Sequence, residues 1–311
     1  MDARTQFATT AAELVETDET VALVYAEISG QFFGDVGRRH RDRVVNVRIR
    51  EQLLVNVGAG MALTGMRPIV HTFGSFLVER AFEQVKLGFG HQDVGGVLVG
   101  SGGLFDMAGA GRTHQSPGDI ALLDTLPGVS IHAPGNALEV DAALRSTVAG
   151  SGLHYVRVVG QANTAAHPFA PGRFHVVRRG AGATVIALGP VLDDVLAATA
   201  SRDVTVLYSS TVRPFDAAAL RAVLTTPDVV LVEPWLAGTS ARHVTEALHD
   251  VPHRLLALGV QRTEHRHYGT PQEHIAAHGL DAIGIARSVE AFLRPAAARR
   301  GAQLGCPPLP V

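Results

Sequence analysis

The chain has 311 residues, a formal net charge of −2, 46% hydrophobic and 18% charged residues. That balance can bury a sizeable core and excludes a disordered chain, and it leaves no basic footprint for nucleic acid or for an anionic membrane surface. The single cysteine, Cys306, excludes an intrachain disulfide and a Cys-based metal site, which points to a reducing cytoplasm. At roughly 100–200 residues per domain the length predicts two domains or one large one. No apolar run of about 18 residues occurs, so no membrane span is expected, and Met1 to Phe7 lack the apolar core of a signal peptide.

Helical spacing of Phe7, Ala11, Leu14 and Val15 predicts a helix over 4–16. The apolar run Thr20 to Ala26 reads as a buried strand, with Glu27 in the loop at its end. Val44 to Val47 is a second strand, and a helix over 51–64 follows, opening on Glu51. Its residues Gly58, Ala59, Gly60 and Ala62 are small, which suits close packing. A carboxylate is favoured at a helix N-terminus by the positive end of the macrodipole. Arg67 to Phe73 is a third strand, followed by a helix over 76–89. Gly96 to Val99 is a fourth, ending in a glycine-rich loop over 100–118. A helix over 119–125, a strand over 129–132, a helix over 137–148 and a strand over 154–158 complete the first half.

Residues 161–174 carry Asn, Pro, Gly and Ala without periodicity and read as a linker. A second alternation follows, with strands at 184–188, 204–207, 229–232 and 254–257. Helices are expected near 191–200, 216–224, 239–249, 271–278 and 286–294. Alternating strands and helices predict an α/β chain with parallel sheets. The expected division is a first domain over 1–162, a linker over 163–174, a smaller second domain over 175–298 and a loose tail over 299–311. Ligands in such sheets sit outside the carboxyl ends of the strands. Glu27, Glu51, Phe73 and the loop over 100–118 fall at that edge.

The glycines at Gly58-Ala59-Gly60 and Gly100-Ser101-Gly102-Gly103 do not complete Gly-x-Gly-x-x-Gly at a first strand-to-helix turn, so a dinucleotide site has no support. No Gly-x-Ser-x-Gly elbow occurs. Glu264, His265 and His267 lack further ligands at suitable spacing for a metal and read as an exposed loop.

Several motifs in order resemble the transketolase family. They are Ile49-Arg50-Glu51-Gln52, then Ala59-Gly60-Met61-Ala62-Leu63-x-Gly65-x-Arg67-Pro68, then Thr72-Phe73-x-x-Phe76-Leu77-x-x-Arg80-Ala81-x-x-Gln84-Val85, then Gly111-x-Thr113-His114-Gln115. Thr211-Val212-Arg213-Pro214-Phe215-Asp216 and Val232-Glu233-Pro234 with Gly238-Thr239 continue the likeness. The match is to the family's C-terminal half, and the chain resembles the small subunit of a split transketolase. The implied fold is a parallel-sheet pyrimidine-binding domain followed by a smaller α/β transketolase C-terminal domain.

The resemblance implies thiamine diphosphate as cofactor and transfer of a two-carbon ketol unit between sugars. In the family, the glutamate matching Glu51 shares a proton with N1′ of the aminopyrimidine, and the cofactor then acts as its own base at C2. Phe76 matches the aromatic that stacks on that ring, with Phe73 as a neighbour of the same type. Glu27 falls where the family places an acid near the cofactor, in a network with Glu51. His114 matches the histidine that faces the sugar's carbonyl and hydroxyls. His71 and Arg157 are further candidates for substrate contact, Arg157 as an anion binder.

Two departures stand out. Ala110 occupies the place of a family acid, and Ser101-Gly102-Gly103 replaces a histidine that holds a sugar phosphate. Both point to a non-phosphorylated or otherwise unusual substrate. The family's Gly-Asp-Gly motif, which with a downstream Asn holds the pyrophosphate through Mg²⁺, is absent. The resemblance therefore implies a partner chain that carries the pyrophosphate-binding domain, in an α2β2 assembly. The beta subunit of a 2-oxo acid dehydrogenase, a deoxyxylulose-phosphate-synthase-like enzyme and a decayed scaffold subunit are the alternative readings.

Overall fold

A computed structural model describes residues 1–294; the expected tail over 299–311, with Cys306, and the expected domain end at 298 lie outside the described residues. The first half runs α1 (Ala3–Thr17), β1 (Val21–Tyr25), α2 (Gly30–Arg39), β2 (Val44–Asn46), α3 (Glu51–Leu63) and β3 (Arg67–Phe73). The helical stretch after β3 has wide, π-type turns at Ser75–Arg80 and Val85–His91 on either side of α4 (Phe82–Gln84). Then come β4 (Gly96–Ser101), α5 (Asp119–Leu123), β5 (Ser130–His132), α6 (Ala137–Ala149) and β6 (Leu153–Val158).

No helix or strand forms between Val158 and His175. The second half holds β7 (His175–Arg178), β8 (Thr184–Leu188), α7 (Leu192–Ala198), β9 (Thr205–Ser209), β10 (Thr211–Arg213), α8 (Ala217–Val223) and β11 (Asp228–Leu236). It closes with α9 (Ala241–Ala247), β12 (Arg254–Val260), α10 (Pro271–Ala277) and α11 (Ala282–Leu293). Among the described residues no helix is long and apolar enough to cross a membrane.

The strands form a seven-stranded sheet, in the order β10-β5-β6-β4-β3-β1-β2, and a five-stranded sheet, in the order β12-β11-β8-β9-β7. Every pairing is parallel except those of β10 with β5 and β7 with β9. Central strands such as Val21–Tyr25 are buried along their whole length, as parallel strands covered on both faces must be.

Helices α1, α2 and α6 cover one face of the first sheet through Phe7, Phe33 and Leu144. The other face carries α3, the π-type turns and α5. Its core runs on without a break into Ile186, Leu231 and Trp235 of the second sheet. Gly58 explains how closely α3 approaches: a Cβ there would lie 2.5 Å from Val70 Cγ2.

Three elements are absent from the sequence reading. Helix α2 contains three glycines, which lower its intrinsic propensity. Tertiary contact makes it a helix, by burying Phe33 and Val36. Strands β7 and β10 are four and three residues long and exist through pairing with distant strands. Strand β10 joins the first sheet although its sequence lies in the second half, so the Thr211–Asp216 segment begins as an edge strand. Arg213 fixes it there by donating to both carboxylate oxygens of Asp124, at 2.6 and 2.8 Å. Burial opposes the Asp124 charge, but hydrogen bonds from His243 and Arg213 hold its carboxyl well below the usual range.

Candidate active site

In the first sheet β1 connects outward to β2, whereas β3, on its other side, connects to β4. Chain direction therefore switches between β1 and β3, and a crevice opens outside their carboxyl ends. Backbone strain collects there. Glu27 and Ser29 after β1, Arg48 after β2 and Leu104 after β4 all have φ near +60°, a region that L-residues seldom occupy.

Glu51 is the first residue of α3 and is 2% exposed. Its Oε2 accepts from Arg80 Nη1 at 2.8 Å. Oε1 has no hydrogen bond from the described residues. The Arg80 guanidinium carbon lies 4.0 Å from the centroid of Phe76, one helical turn earlier. One arginine thus ties the buried carboxylate to the aromatic ring. Gln52 Nε2 donates to the Arg80 carbonyl at 3.4 Å.

Phe76 also belongs to a triangle of rings. Its centroid is 5.9 Å from Phe73 and 4.9 Å from His114, and Phe73 and His114 are 5.4 Å apart, all edge to face. Phe73 ends β3, Phe76 sits in the first π-type turn, and His114 comes from the loop after β4. Gly102 lets that loop cross Phe73: its φ is +66°, and a Cβ would lie 2.8 Å from the Phe73 ring. A hydrogen bond of 2.9 Å between Thr113 Oγ1 and His114 Nδ1 steadies the imidazole. Glu51, Phe73, Phe76 and His114 are therefore brought together, with one buried acid, two apolar rings and one half-buried imidazole.

Three candidates lie elsewhere. Glu27 is exposed and pairs with Arg48 at 3.1 Å and with Asn46 at 3.3 Å, so it forms no network with Glu51. His71 has no exposed surface, and burial pushes its imidazole down to about 3. Nδ1 donates to the Val99 carbonyl at 3.0 Å, and Nε2 then accepts from the Ser29 hydroxyl at 3.0 Å. Both nitrogens are used inside the core.

Arg157 is 1% exposed and donates through Nε to Asp119 Oδ2 at 2.8 Å. Tyr155 donates to the same oxygen at 2.8 Å, and burial pushes its phenol well above the usual range. Arg157 Nη1 is buried without an acceptor. Closed off in this way, the side chain has no surface with which to bind a substrate anion.

Arg80 lies within the motif after Phe73, and its local signal is the four-residue spacing from Phe76, which puts both on one helical face. Three further features carried no local signal. Arg4 Nε donates to Ser29 Oγ at 3.0 Å, and its guanidinium lies 5.9 Å from the Phe73 centroid. Asp106 lines a cavity of about 480 Å³ next to Phe73. Phe105 stacks between His274 and His278, at 4.8 and 5.4 Å, and so docks the loop after β4 onto α10. His265, 4.8 Å from His278, lies in a segment tied to the loop by the Arg112–Glu264 ion pair at 3.4 Å.

Residues 1–162 match the transketolase pyrimidine binding domain. Over 296 residues the chain is 45% identical to an uncharacterized 33.6 kDa protein in the fasciation locus of Rhodococcoides fascians, covering 94% of this chain and 95% of that protein. It is 30% identical over 287 residues to the 1-deoxy-D-xylulose-5-phosphate synthase of Alkalilimnicola ehrlichii, covering 88% of this chain and 45% of the synthase. The corresponding enzyme of Leptothrix cholodnii is 31% identical over 292 residues, with 87% and 44% covered. The chain thus spans about half the length of these synthases. A solved structure described as a split-gene transketolase, inactive beta4 tetramer, superposes with a TM-score of 0.82 over 94% of this chain and 98% of the other. At 24% identity that likeness concerns the fold. The chain belongs to the transketolase family, of which it is the half that carries the pyrimidine-binding domain.

Proposed function

We propose that this chain is the pyrimidine-domain subunit of a thiamine-diphosphate-dependent transferase of the transketolase type. It moves a two-carbon ketol unit from a ketose to an aldose-type acceptor and works with a separate chain that carries the pyrophosphate-binding domain and Mg²⁺. The observation that carries the reading is Glu51: a carboxylate 2% exposed, unbonded on one oxygen and paired on the other by Arg80, whose guanidinium covers Phe76, itself edge to face with His114.

These residues suit the aminopyrimidine end of the cofactor. When bound, thiamine diphosphate supplies a nucleophilic thiazolium carbon. Glu51 holds a proton at the pyrimidine N1′, and the low local dielectric strengthens that hydrogen bond. Phe76, with Phe73 behind it, offers an apolar ring for stacking, an interaction of about 0.5–1.5 kcal/mol beyond area burial. His114 donates to oxygen that gains charge during transfer. The other end of the cofactor lacks its residues here. The sequence contains no Gly-Asp-Gly, the motif by which the family holds the pyrophosphate through Mg²⁺. That supports a partner chain as the source of the pyrophosphate and Mg²⁺ site.

The test is reconstitution. This chain alone should show no thiamine-diphosphate-dependent turnover, and co-expression with a chain bearing Gly-Asp-Gly should produce it. Tight cofactor and Mg²⁺ binding by this chain alone would overturn the half-enzyme reading. A second reading, synthase-type condensation starting from pyruvate, is favoured by the identity to deoxyxylulose phosphate synthases. Release of CO₂ from pyruvate by the reconstituted complex separates the two.

A further inference from the structure

The cavity beside Phe73 is bounded by the carboxyl ends of the central strands and covered by α10 through Pro271, Gln272 and Ile275. Three charged side chains line it: Asp2, Arg4 and Asp106. Arg4 is tethered to Ser29, after β1, and rests near Phe73 at the end of β3. Asp106 is tethered at the other side, where its Oδ2 accepts from the Gly160 N–H at 2.7 Å, just beyond β6. In the order β6-β4-β3-β1 these two tethers are three strand spacings apart. At about 4.8 Å per spacing that is roughly 14 Å. The β6 wall therefore presents a carboxyl, and among the described residues the one cation lining the cavity, Arg4, is tethered at the opposite side.

The cation that the sequence suggested for the β6 end does not reach the cavity. Arg157 is buried against Asp119, and Gly103 packs over it, close enough that a Cβ there would lie 3.1 Å from the guanidinium carbon. Asp106 Oδ1 has no hydrogen bond from the described residues. Burial pushes the Asp106 carboxyl up to about 6, so at neutral pH it is mainly an anion in a poorly solvated wall. The Gly160 N–H and the buried Arg157 charge oppose that rise, but Arg157 is engaged by Asp119 and does not line the cavity, so a phosphate brought against Asp106 would face like charge.

We propose that Asp106 is a specificity-determining residue: it accepts hydrogen bonds from hydroxyl groups of a non-phosphorylated substrate at the β6 wall and bars a phosphate from that position. This rests on the transferase reading above and names the substrate class for the same site. Discrimination comes from both sides, since a hydroxyl gains a charge-assisted hydrogen bond while a phosphate meets repulsion.

The experiment measures binding of ribose and ribose 5-phosphate to the assembled two-chain complex by saturation-transfer NMR, and turnover of the same sugars separately. The wild-type complex should bind ribose at least about 10-fold more tightly than its phosphate. Asp106→Asn, whose amide oxygen can still accept from Gly160, should lower that ratio about 10-fold. Asp106→Glu should preserve it, which guards against a folding artefact in the first variant. Equal or tighter binding of ribose 5-phosphate by the wild type, or a ratio unmoved by Asp106→Asn, overturns the proposal. Binding as expected without any thiamine-diphosphate-dependent turnover would instead sink the transferase reading and leave the role of Asp106 standing.

Discussion

Arg80 reaches back 29 positions to place Nη1 2.8 Å from Glu51 Oε2, while its guanidinium covers Phe76 at 4.0 Å. Two side chains from different helical segments therefore act through a third. The pair is asymmetric in exposure, with 3% of the Glu51 side chain and 42% of the Arg80 side chain accessible. Solvent screens the arginine, which keeps the pair's stability contribution below the roughly 3–5 kcal/mol of a fully buried pair. Its worth lies in orientation, because the arginine occupies one oxygen and leaves the other for a ligand.

Replacing Arg80 should separate orientation from stability. Arg80→Lys cannot span the carboxylate and the ring with one planar group. In the reconstituted complex we expect turnover to fall about 10-fold, with the denaturation midpoint nearly unchanged. Equal loss of stability and turnover would show that the pair is only structural.

Glu51→Gln removes the carboxylate but keeps size and burial. A general acid–base group contributes about 10²–10⁴-fold, so turnover should fall by at least about 100-fold. The far-ultraviolet circular dichroism spectrum should match that of the unaltered chain. A decayed scaffold subunit would tolerate the change, and full retention of partner-dependent activity would identify it as one.

Arg157→Met addresses the buried pair with Asp119. Breaking a buried ion pair from one side costs about 3–5 kcal/mol, because the remaining charge is stranded. Urea unfolding should show a loss of that order. A substrate-binding arginine would instead leave stability intact and raise KM, which steady-state kinetics would reveal.

Buried titratable groups predict stability that changes with pH in both directions. Glu233, fully buried, is raised to about 7 by burial, although it accepts from Trp235 at 2.8 Å and from the Ser240 N–H at 3.2 Å. The folded state holds that proton more tightly than the unfolded one, so stability falls as pH rises from about 4.5 toward 7. His71 and His132 are both depressed to about 3 by burial. The unfolded state binds their protons first, so stability also falls as pH drops from about 6.5 toward 3. Thermal melts of Glu233→Gln should reduce the first slope, leaving the share from Asp106, which is raised to about 6, and keep the second; an unchanged profile between about pH 4.5 and 7 would refute the assignment.

Much of the organisation is written locally. The alternation of apolar runs with 3.6-residue patterns gives βαβ units, because each pattern records which faces of its own segment meet the core. The positions of Glu51, Phe73, Phe76 and His114 at strand and helix ends follow from the same local reading. It is the likeness to the transketolase motifs that singles them out; local patterning places them but assigns them no role.

What the tertiary structure alone decides is which polar groups find each other. His71 and Arg157 sit toward strand ends, as candidates should, yet Ser29 and Val99 take both ring nitrogens of His71, and Asp119 pairs Arg157 Nε inside the core. Asp106 and Arg4 give no sequence signal, but sheet order sets them on opposite walls of one cavity. Strand β10 is too short to declare itself and gains its ladder from β5, about 80 residues earlier. Periodicity reports the direction a residue faces within its own segment, whereas hydrogen-bond satisfaction and charge pairing depend on the neighbours that crossover connections deliver.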